Sequence, residues 1–353
     1  MSKAESLINK ISSSDTPEDA DLKKVLSFTD DEDVRALFAC ADKTRREHCG
    51  EGIALRGLIE FSNVCERDCF YCGLNRENRS ASRYRMTEEE ISRSVKTITS
   101  YNIKTIVLQS GEDHSMKAEW LRDVIISIKS KFEVAVTLSV GERSADDYKM
   151  WRAAGADRYL LKIEAYDDSL YRSAHLRSDN PPRLRCLAIL RDLGYQVGTG
   201  NIVGLPGQTL DAIGRDIAFF KKGDFDMVSI SPFIPHAGTS FGSEKKGDVS
   251  LTLKTMALAR IVTKNAYIPA TTALGSLDRD YREEGLNCGA NVLMPNFTPM
   301  EYRDMYEIYP GKVCLKDAPG SCAILNNGAI ERMDRRIDYG RCDSLKSRGL
   351  SNV

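Results

Sequence analysis

The sequence has no run of about 18 apolar residues, so no segment predicts a membrane-spanning helix. It also has almost no net charge, with 50 basic residues against 51 acidic ones, which gives no electrostatic reason to expect nucleic acid or an anionic membrane as a partner. The N-terminal residues are polar and lack the apolar core of a secretory signal. We therefore expect a cytoplasmic protein that binds neither membrane nor nucleic acid.

Histidine is scarce, whereas cysteine is not. The four histidines lie far apart, so their spacing predicts no histidine-based metal site. Ten cysteines are many for a chain of 353 residues, and without a secretory signal they favour metal or redox chemistry over disulfides. Most of them are dispersed, but Cys65, Cys69 and Cys72 fall together in one short segment. This triplet is the strongest chemical signal in the sequence.

Apolar strand segments alternate with helical segments from about residue 53 onward. The alternation predicts a parallel sheet with right-handed crossovers, and eight such units predict an α/β protein with a closed TIM-type (β/α)8 barrel. The predicted strands are 53–61, 105–109, 134–140, 158–164, 196–203, 227–233, 268–273 and 291–295. The predicted helices between them are 88–101, 118–131, 145–154, 183–193, 210–221, 251–262 and 279–288.

The segments before and after this alternation differ from it. Residues 1–50 show apolar residues at helical spacing, interrupted by acidic stretches typical of helix starts. Residues 301–353 are more charged and less periodic. We therefore expect an N-terminal helical segment (1–50), a barrel (51–300) and a C-terminal extension that closes the barrel (301–353).

The cysteine triplet directly follows the first predicted strand, and the carboxyl ends of barrel strands are where catalytic groups lie. A structural zinc site needs four ligands, and neither a second cysteine pair nor a histidine pair lies nearby. A [4Fe–4S] cluster usually takes four cysteines, so three would leave one iron open to a ligand. From spacing alone, a zinc loop or three unrelated thiols remain alternatives.

Cys65-x3-Cys69-x2-Cys72, with Tyr71 before the last cysteine, resembles the motif of the radical S-adenosylmethionine (SAM) superfamily. The chain from about residue 50 to 325 resembles more closely the HydE family of [FeFe]-hydrogenase maturases, with biotin synthase and methylornithine synthase as more distant relatives. The resemblance implies a radical SAM barrel in which a [4Fe–4S] cluster cleaves SAM to a 5′-deoxyadenosyl radical. The segments that carry it include IEFSNVCERDCFYCGLN, KTIVLQSGED, GLPGQT and CGANVLMPNFTP.

The resemblance also implies roles for individual residues. Cys65, Cys69 and Cys72 would hold the cluster, Glu164 and Arg183 would act in catalysis and bind SAM, and Tyr71 would lie near the adenine. The other implied cofactor contacts are Ser110, Gly111, Glu112, Thr137, Ser139 and Gly200, where a glycine would let the backbone approach the flat adenine. From their position at the ends of the seventh and eighth predicted strands, we expect Thr271, Thr272 and Asn296 to contact the substrate.

The sequence departs from the family pattern at the end of the fourth predicted strand. Many members have Arg-His-Glu-Thr there, whereas this chain has Lys162-Ile163-Glu164-Ala165. Isoleucine can neither donate a hydrogen bond nor transfer a proton. If the family's histidine touches the substrate, this chain acts on a different one.

A second departure lies in the C-terminal extension. Some members have a second cluster site with the spacing C-x7-C-x2-C. Here Cys314 and Cys322 match the first two positions, but Leu325 occupies the third. We therefore predict no second cluster.

The resemblance implies an enzyme that acts on a small sulfur-bearing or iron-bound cysteine-type substrate during hydrogenase maturation. Its partners would be an electron donor such as ferredoxin or flavodoxin, and the maturases HydG and HydF. One alternative is a HydE paralogue or a methylornithine-synthase-like mutase that acts on an amino acid. Another is a structural protein that uses the cysteine triplet to hold zinc or a cluster.

Overall fold

The computed structural model describes residues 2–313, 315, 323–326 and 328–346. Its N-terminal part contains three helices, and acidic or polar residues begin them. Ser2 forms a capping box with Glu5, and the Asp30 carboxylate accepts hydrogen bonds from the amides of Glu32 and Asp33. These side chains satisfy amides that have no partner within the helix. The helices are α1 (Lys3–Ser13), α2 (Asp19–Leu26) and α3 (Asp31–Cys49).

The described residues contain nine strands. Six of them, β2 to β7, form one parallel sheet in chain order, which is the order that successive strand–helix units produce. The strands are β1 (Gly52–Leu55), β2 (Gly57–Ser62), β3 (Thr105–Ser110), β4 (Ala135–Ser139), β5 (Arg158–Leu160), β6 (Gln196–Val203), β7 (Met227–Pro232), β8 (Val292–Leu293) and β9 (Arg336–Asp338).

The sheet closes through short hydrogen-bonded segments between β7 and β2. Val228 N donates to the Tyr267 carbonyl at 2.9 Å, and Ala270 N donates to the Val292 carbonyl at 3.0 Å. Strand β8 then pairs with β1, and Leu58 of β2 forms a bridge with Asn296. The predicted eight-unit barrel is therefore confirmed.

Three predicted strands differ from those observed. Segment 53–61 is two strands, because β1 pairs with β8 and β9 whereas β2 pairs with β3. Segment 268–273 forms only isolated bridges, since Pro269 has no amide to donate and the chain enters a helix at Thr272. Segment 158–164 is a strand only to Leu160, because Glu164 has a left-handed backbone (φ 60°) that a continuous strand cannot accommodate.

Helices surround the barrel, and the N-terminal helices lie outside this layer. Helix α2 packs on α9 and α3 packs on α10. The remaining helices are α4 (Glu88–Ser100), α5 (Ala118–Lys131), α6 (Ala145–Ala153), α7 (Asp168–Ser173), α8 (Asn180–Asp192), α9 (Leu210–Gly223), α10 (Val249–Thr263), α11 (Thr272–Gly275), α12 (Arg282–Asn287), α13 (Met300–Arg303), α14 (Ala323–Asn326) and α15 (Ala329–Arg332). No helix in the described ranges is both long and apolar enough to cross a membrane.

The end of the described chain packs against the amino-terminal ends of the strands. Strand β9 pairs in parallel with β1, a pairing that the weak periodicity of this region did not predict. The buried Arg158 guanidinium donates to the Arg341 carbonyl and to the Asp343 carboxylate, both at 2.7 Å. Because the C-terminal residues cover this end of the barrel, a ligand can enter the interior only at the carboxyl ends of the strands.

Candidate functional site

A cavity of about 300 Å³ opens at the carboxyl ends of the strands, where (β/α)8 barrels carry their active sites. This volume is at the lower end of the range for small-molecule sites. Twelve of the fifteen residues that we predicted for the site from the sequence line this cavity, and the other three lie elsewhere in the barrel. Those that line it are Cys65, Cys69, Tyr71, Cys72, Ser110, Gly111, Glu112, Ser139, Glu164, Arg183, Thr271 and Thr272.

The three cysteines of the triplet lie in the loop after β2, all half-buried and none in a disulfide. The next loop, after β3, packs directly on this one. A Cβ atom on Gly111 would lie 2.3 Å from the Val64 carbonyl and 2.7 Å from Cys65 Cβ, so only glycine allows the two loops to approach. The cysteine loop is thereby held in place by backbone contacts close to its first thiol.

The donor set of the cysteine loop suits an iron–sulfur cluster. Burial raises the pKa of the thiols of Cys65, Cys69 and Cys72, and the neighbouring thiols raise those of Cys69 and Cys72 further, the latter to about 12. Thiolates there need a cationic centre to neutralise them. In the described part of the chain, no three Cys, His, Asp or Glu side chains converge closely enough to hold one ion, as a zinc site requires. A [4Fe–4S] cluster instead takes its thiolates on separate irons.

Two arginines and two glutamates form a charged network beside the cysteine loop. Arg67 contacts Glu112 at 2.5 Å and Glu142 at 3.0 Å. Arg183 donates to Glu142 at 2.8 Å and lies 3.5 Å from Glu112. Burial lowers the pKa of Arg183, but Tyr171, Glu112 and Glu142 outweigh it and raise that pKa well above its usual value. Because the four charges balance, the network can hold a zwitterionic ligand group without leaving a charge uncompensated.

Sequence reasoning found Glu112 and Arg183 but missed Arg67 and Glu142. Glu142 lies three residues after the end of β4, and Arg67 lies inside the cysteine loop, so both occupy positions where catalytic groups are expected. Their pairing was not predictable, because it joins loops that are far apart in the sequence.

Glu164 reaches the cavity through an unusual backbone conformation. Its φ of 60° is left-handed, a conformation that costs a residue with a side chain about 1–2 kcal/mol. Strand β6 holds it there, since Glu164 N donates to the Gly200 carbonyl at 3.1 Å and Ile202 N donates to the Glu164 carbonyl at 2.9 Å. Lys162 Nζ lies 3.1 Å from Glu164 Oε2 and also lines the cavity. Strain of this kind concentrates at functional sites.

Ile163 and Ala165, where the chain departs from the family pattern, do not line the cavity. Ile163 is fully buried in the main hydrophobic core, and Ala165 is buried in a smaller apolar cluster with Leu170 and Phe233. The chain therefore presents Lys162 and Glu164 to the cavity and the two apolar residues to the protein interior. The departure changes the packing behind the site rather than the cavity wall.

Tyr71 is held by a histidine that sequence reasoning assigned no function. The His175 Nδ1–H donates to the Tyr171 carbonyl at 2.6 Å, so Nε2 accepts from the Tyr71 hydroxyl at 3.0 Å. Burial lowers the pKa of His175 to about 4, which keeps the ring neutral. His175 also forms a backbone bridge with Cys69, so it supports the cysteine loop from behind.

Three predicted site residues lie away from the cavity. Thr137 lines a separate, much smaller space within the barrel, because it sits one layer below Ser139 on β4. A Cβ atom on Gly200 would lie 1.9 Å from the carbonyl oxygen of Ser229 in β7. Glycine is therefore required here by the neighbouring strand and not by a ligand. Asn296 is buried and donates to Glu60 Oε2 at 2.9 Å. The cavity reaches Glu60 itself, which was not predicted.

The predicted absence of a second cluster concerns residues that are not described, because Cys314 and Cys322 lie outside the described ranges. Leu325, at the position of the third cysteine, is half-buried and packs against the main core.

Comparison with known proteins identifies the family of the chain. The family model of the Radical SAM superfamily matches residues 59–220. The [FeFe] hydrogenase maturase subunit HydE of Thermotoga maritima is 47% identical over 315 residues, which cover 89% of this chain and 90% of that protein. The 3-methylornithine synthase of Methanosarcina acetivorans is 27% identical over 288 residues, which cover 80% of this chain and 81% of that protein.

Two solved structures share the fold. A methylornithine synthase (PylB) superposes with a TM-score of 0.80 at 23% identity, covering 96% of this chain and 98% of the other. The FeFe-hydrogenase maturase HydG from Carboxydothermus hydrogenoformans superposes with a TM-score of 0.79 at 21% identity, covering 96% of this chain and 80% of the other. The chain therefore belongs to the HydE family of the radical SAM superfamily and is an enzyme that uses a [4Fe–4S] cluster and S-adenosylmethionine.

Proposed function

We propose that this enzyme acts in the maturation of [FeFe] hydrogenase, on a small sulfur-bearing or iron-bound cysteine-type substrate. The observation that carries the proposal is the 47% identity to a hydrogenase maturase subunit over nearly the whole chain. The cavity supports it, since the residues that depart from the family pattern, Ile163 and Ala165, lie behind the wall. The cytoplasm, where thiols stay reduced, is the proposed location.

In this proposal, Cys65, Cys69 and Cys72 hold the cluster. When bound, the reduced cluster supplies the electron that cleaves SAM to a 5′-deoxyadenosyl radical. Arg183 orients the methionine carboxylate, because a guanidinium matches a carboxylate in shape and charge. Glu112 and Glu142 accept from the ammonium group, and Arg67 keeps both glutamates in place.

The remaining cofactor contacts hold the nucleoside part of SAM. Glu164 accepts hydrogen bonds from the ribose hydroxyls, and Lys162 Nζ lies 3.1 Å from its Oε2 atom. Tyr71, fixed by His175, packs beside the adenine. Leu160, Leu161 and other apolar lining residues exclude water, which protects a radical from side reactions.

The substrate lies on the other side of the barrel. Thr271 and Thr272 follow the seventh barrel segment, four positions around the closed sheet from Ser139 at the end of β4. Their hydroxyls can donate to a carboxylate or another anionic group of a small substrate. SAM on one side and substrate on the other then face each other across the cavity.

The proposed partners are an electron donor such as ferredoxin or flavodoxin, which reduces the cluster, and the maturases HydG and HydF. The balanced charge of the chain argues for partners recognised by local surfaces and not by a large electrostatic field.

The experiment begins with anaerobic reconstitution of the protein with iron and sulfide, followed by SAM and dithionite and chromatography for 5′-deoxyadenosine. Thiol-bearing and iron-bound cysteine substrates are then compared with lysine. Faster deoxyadenosine formation with the cysteine-type substrates supports the proposal, whereas stimulation by lysine alone would show a methylornithine-synthase-like mutase instead.

A matched pair of cysteine variants completes the test. Cys69→Ala is expected to abolish deoxyadenosine formation, and Cys40→Ala, which changes a half-buried cysteine of α3 outside the cavity, is expected to leave it intact. In a reconstituted system with apo-[FeFe] hydrogenase, HydG and HydF, hydrogen evolution should require the enzyme. Hydrogenase activity that matures equally without it would refute the assignment.

A further inference from the structure

Residues 305–312, which follow the barrel, form part of the cavity wall. We call them the cover segment. The segment contributes four lining residues, although it belongs to neither a barrel strand nor a barrel helix. They are Tyr306, Ile308, Tyr309 and Lys312. Because part of the wall comes from outside the barrel, something must hold this segment in place.

One end of the cover segment is attached to the cysteine loop. Gly73, next to Cys72, donates its amide hydrogen to the Ile308 carbonyl at 2.9 Å. A Cβ atom on Gly73 would lie 2.2 Å from the Glu307 carbonyl, so the two backbones touch. Asn63 Nδ2 donates to the Met305 carbonyl at 2.7 Å. A movement of the cover segment would therefore remove support from the loop that carries the cysteines.

The other end is attached inside the barrel by a buried ion pair. The Lys312 ammonium group contacts Glu60 Oε1 at the end of β2, and these side chains are only 2% and 1% exposed. Asn296 donates to the second Glu60 oxygen at 2.9 Å. Lys312 Nζ also lies 4.9 Å from the centre of the Tyr306 ring. Each charge is compensated, and the loss of one partner would leave the other buried and unpaired.

We propose that Lys312 and Glu60 are positioning residues that hold the cover segment against the cysteine loop and thereby complete the cavity wall. The pair touches neither the charged network around Arg183 nor the cysteines. It acts through the segment that it anchors. This proposal deepens the proposed function, because it concerns the same cavity, but its structural part can be tested without substrate or cluster.

The first test is hydrogen–deuterium exchange of the cluster-free protein, comparing wild type with Lys312→Met. The amide of Gly73 and those of residues 305–306 are expected to exchange at least about tenfold faster in the variant. Without the Lys312–Glu60 ion pair, the cover segment moves more and the hydrogen bonds of these amides open more often. Lys246→Met is the matched control, since Lys246 pairs with Asp278 at the surface and both are more than half exposed. Equal protection in wild type and Lys312→Met would overturn the proposal.

A double variant separates positioning from stability. Glu60→Gln with Lys312→Met removes both charges, so it should unfold at a higher temperature than Lys312→Met alone. The amides of its cover segment should still exchange faster than in wild type, because the ion pair between Lys312 and Glu60 is absent. If the double variant regained both stability and protection, the ion pair would not be the anchor.

The second test uses the reconstituted protein. Loss of the cluster's visible absorbance on exposure to an iron chelator should be several-fold faster in Lys312→Met and in the double variant, and unchanged in Lys246→Met. The ratio of deoxyadenosine formed to substrate consumed should rise, since an open cavity lets the reductant reach the radical and reduce it before it reacts with the substrate. Unchanged cluster loss would refute the coupling to the cysteine loop. If exchange changes as expected but no substrate is consumed by wild type, the proposed function fails while the positioning role stands.

Discussion

Asp216 should make the folded protein less stable as the pH rises from about 4 to about 7. This carboxyl lies on α9, 1% exposed, where Oδ1 accepts from Tyr166 N at 2.7 Å and Oδ2 accepts from Asn201 Nδ2 at 2.8 Å. Burial raises its pKa from 3.8 to about 7, although these two hydrogen bonds lower it. Because the folded state holds the proton more tightly than the unfolded chain, raising the pH through this range favours unfolding.

The size of the effect follows from the pKa difference. About 3 pKa units at about 1.4 kcal/mol each give a full penalty of about 4 kcal/mol, absent below pH 4 and complete above pH 7. Asp216→Asn removes this penalty. The side-chain amide of Asn201 can flip, so that its Oδ1, which has no hydrogen-bond partner in the wild type, accepts from the side-chain amide of the new asparagine. In a chain of this size, about 4 kcal/mol raises the midpoint of thermal unfolding by roughly 5 °C.

The assay is thermal unfolding of wild type and Asp216→Asn at intervals from pH 4 to pH 8. The stability gain of the variant should be near zero at pH 4 and largest at pH 8. Asp211→Asn, on the same helix but at a 45% exposed position, is the control and should follow wild type within about 0.5 kcal/mol. A gain that does not change with pH, or a loss at pH 8, would refute the reasoning.

Three further predictions concern the site and the core behind it. Cys69→Ala should lose the cluster absorbance while circular dichroism and the unfolding midpoint of the cluster-free protein stay unchanged, because a loop thiol contributes little to the core; loss of the fold would instead indicate a structural metal site. Ile163→Ala should lower the free energy of unfolding by about 2–5 kcal/mol with little change in the KM for SAM, and a large KM increase in the folded variant would contradict its position in the core. Arg183→Lys should weaken SAM binding by about 1.5–3 kcal/mol, measured by calorimetry, because an ammonium cannot replace the paired guanidinium contacts; wild-type affinity would exclude Arg183 as a cofactor contact.

The sequence by itself determined the architecture and the kind of chemistry. Apolar strands that alternate with helices depend on local periodicity, and eight such units are typical of a closed barrel. The cysteine triplet was recognisable for a similar reason, since its spacing lies within one loop. Glu112 and Glu164 were predicted from the family resemblance, and both follow strand ends, which meet on one side of a parallel barrel.

What the tertiary structure alone decided is which way each side chain points and which distant residues it meets. Glu164 has a left-handed backbone that is held by hydrogen bonds to β6, while Ile163 lies in the core and Lys162 lines the cavity. Lys312 pairs with Glu60 although 252 positions separate them, and this pairing gives part of the cavity wall to a segment that carried no periodic signal. Local propensity acts over a few residues, whereas a buried charge finds its partner only when the folded chain brings the two together.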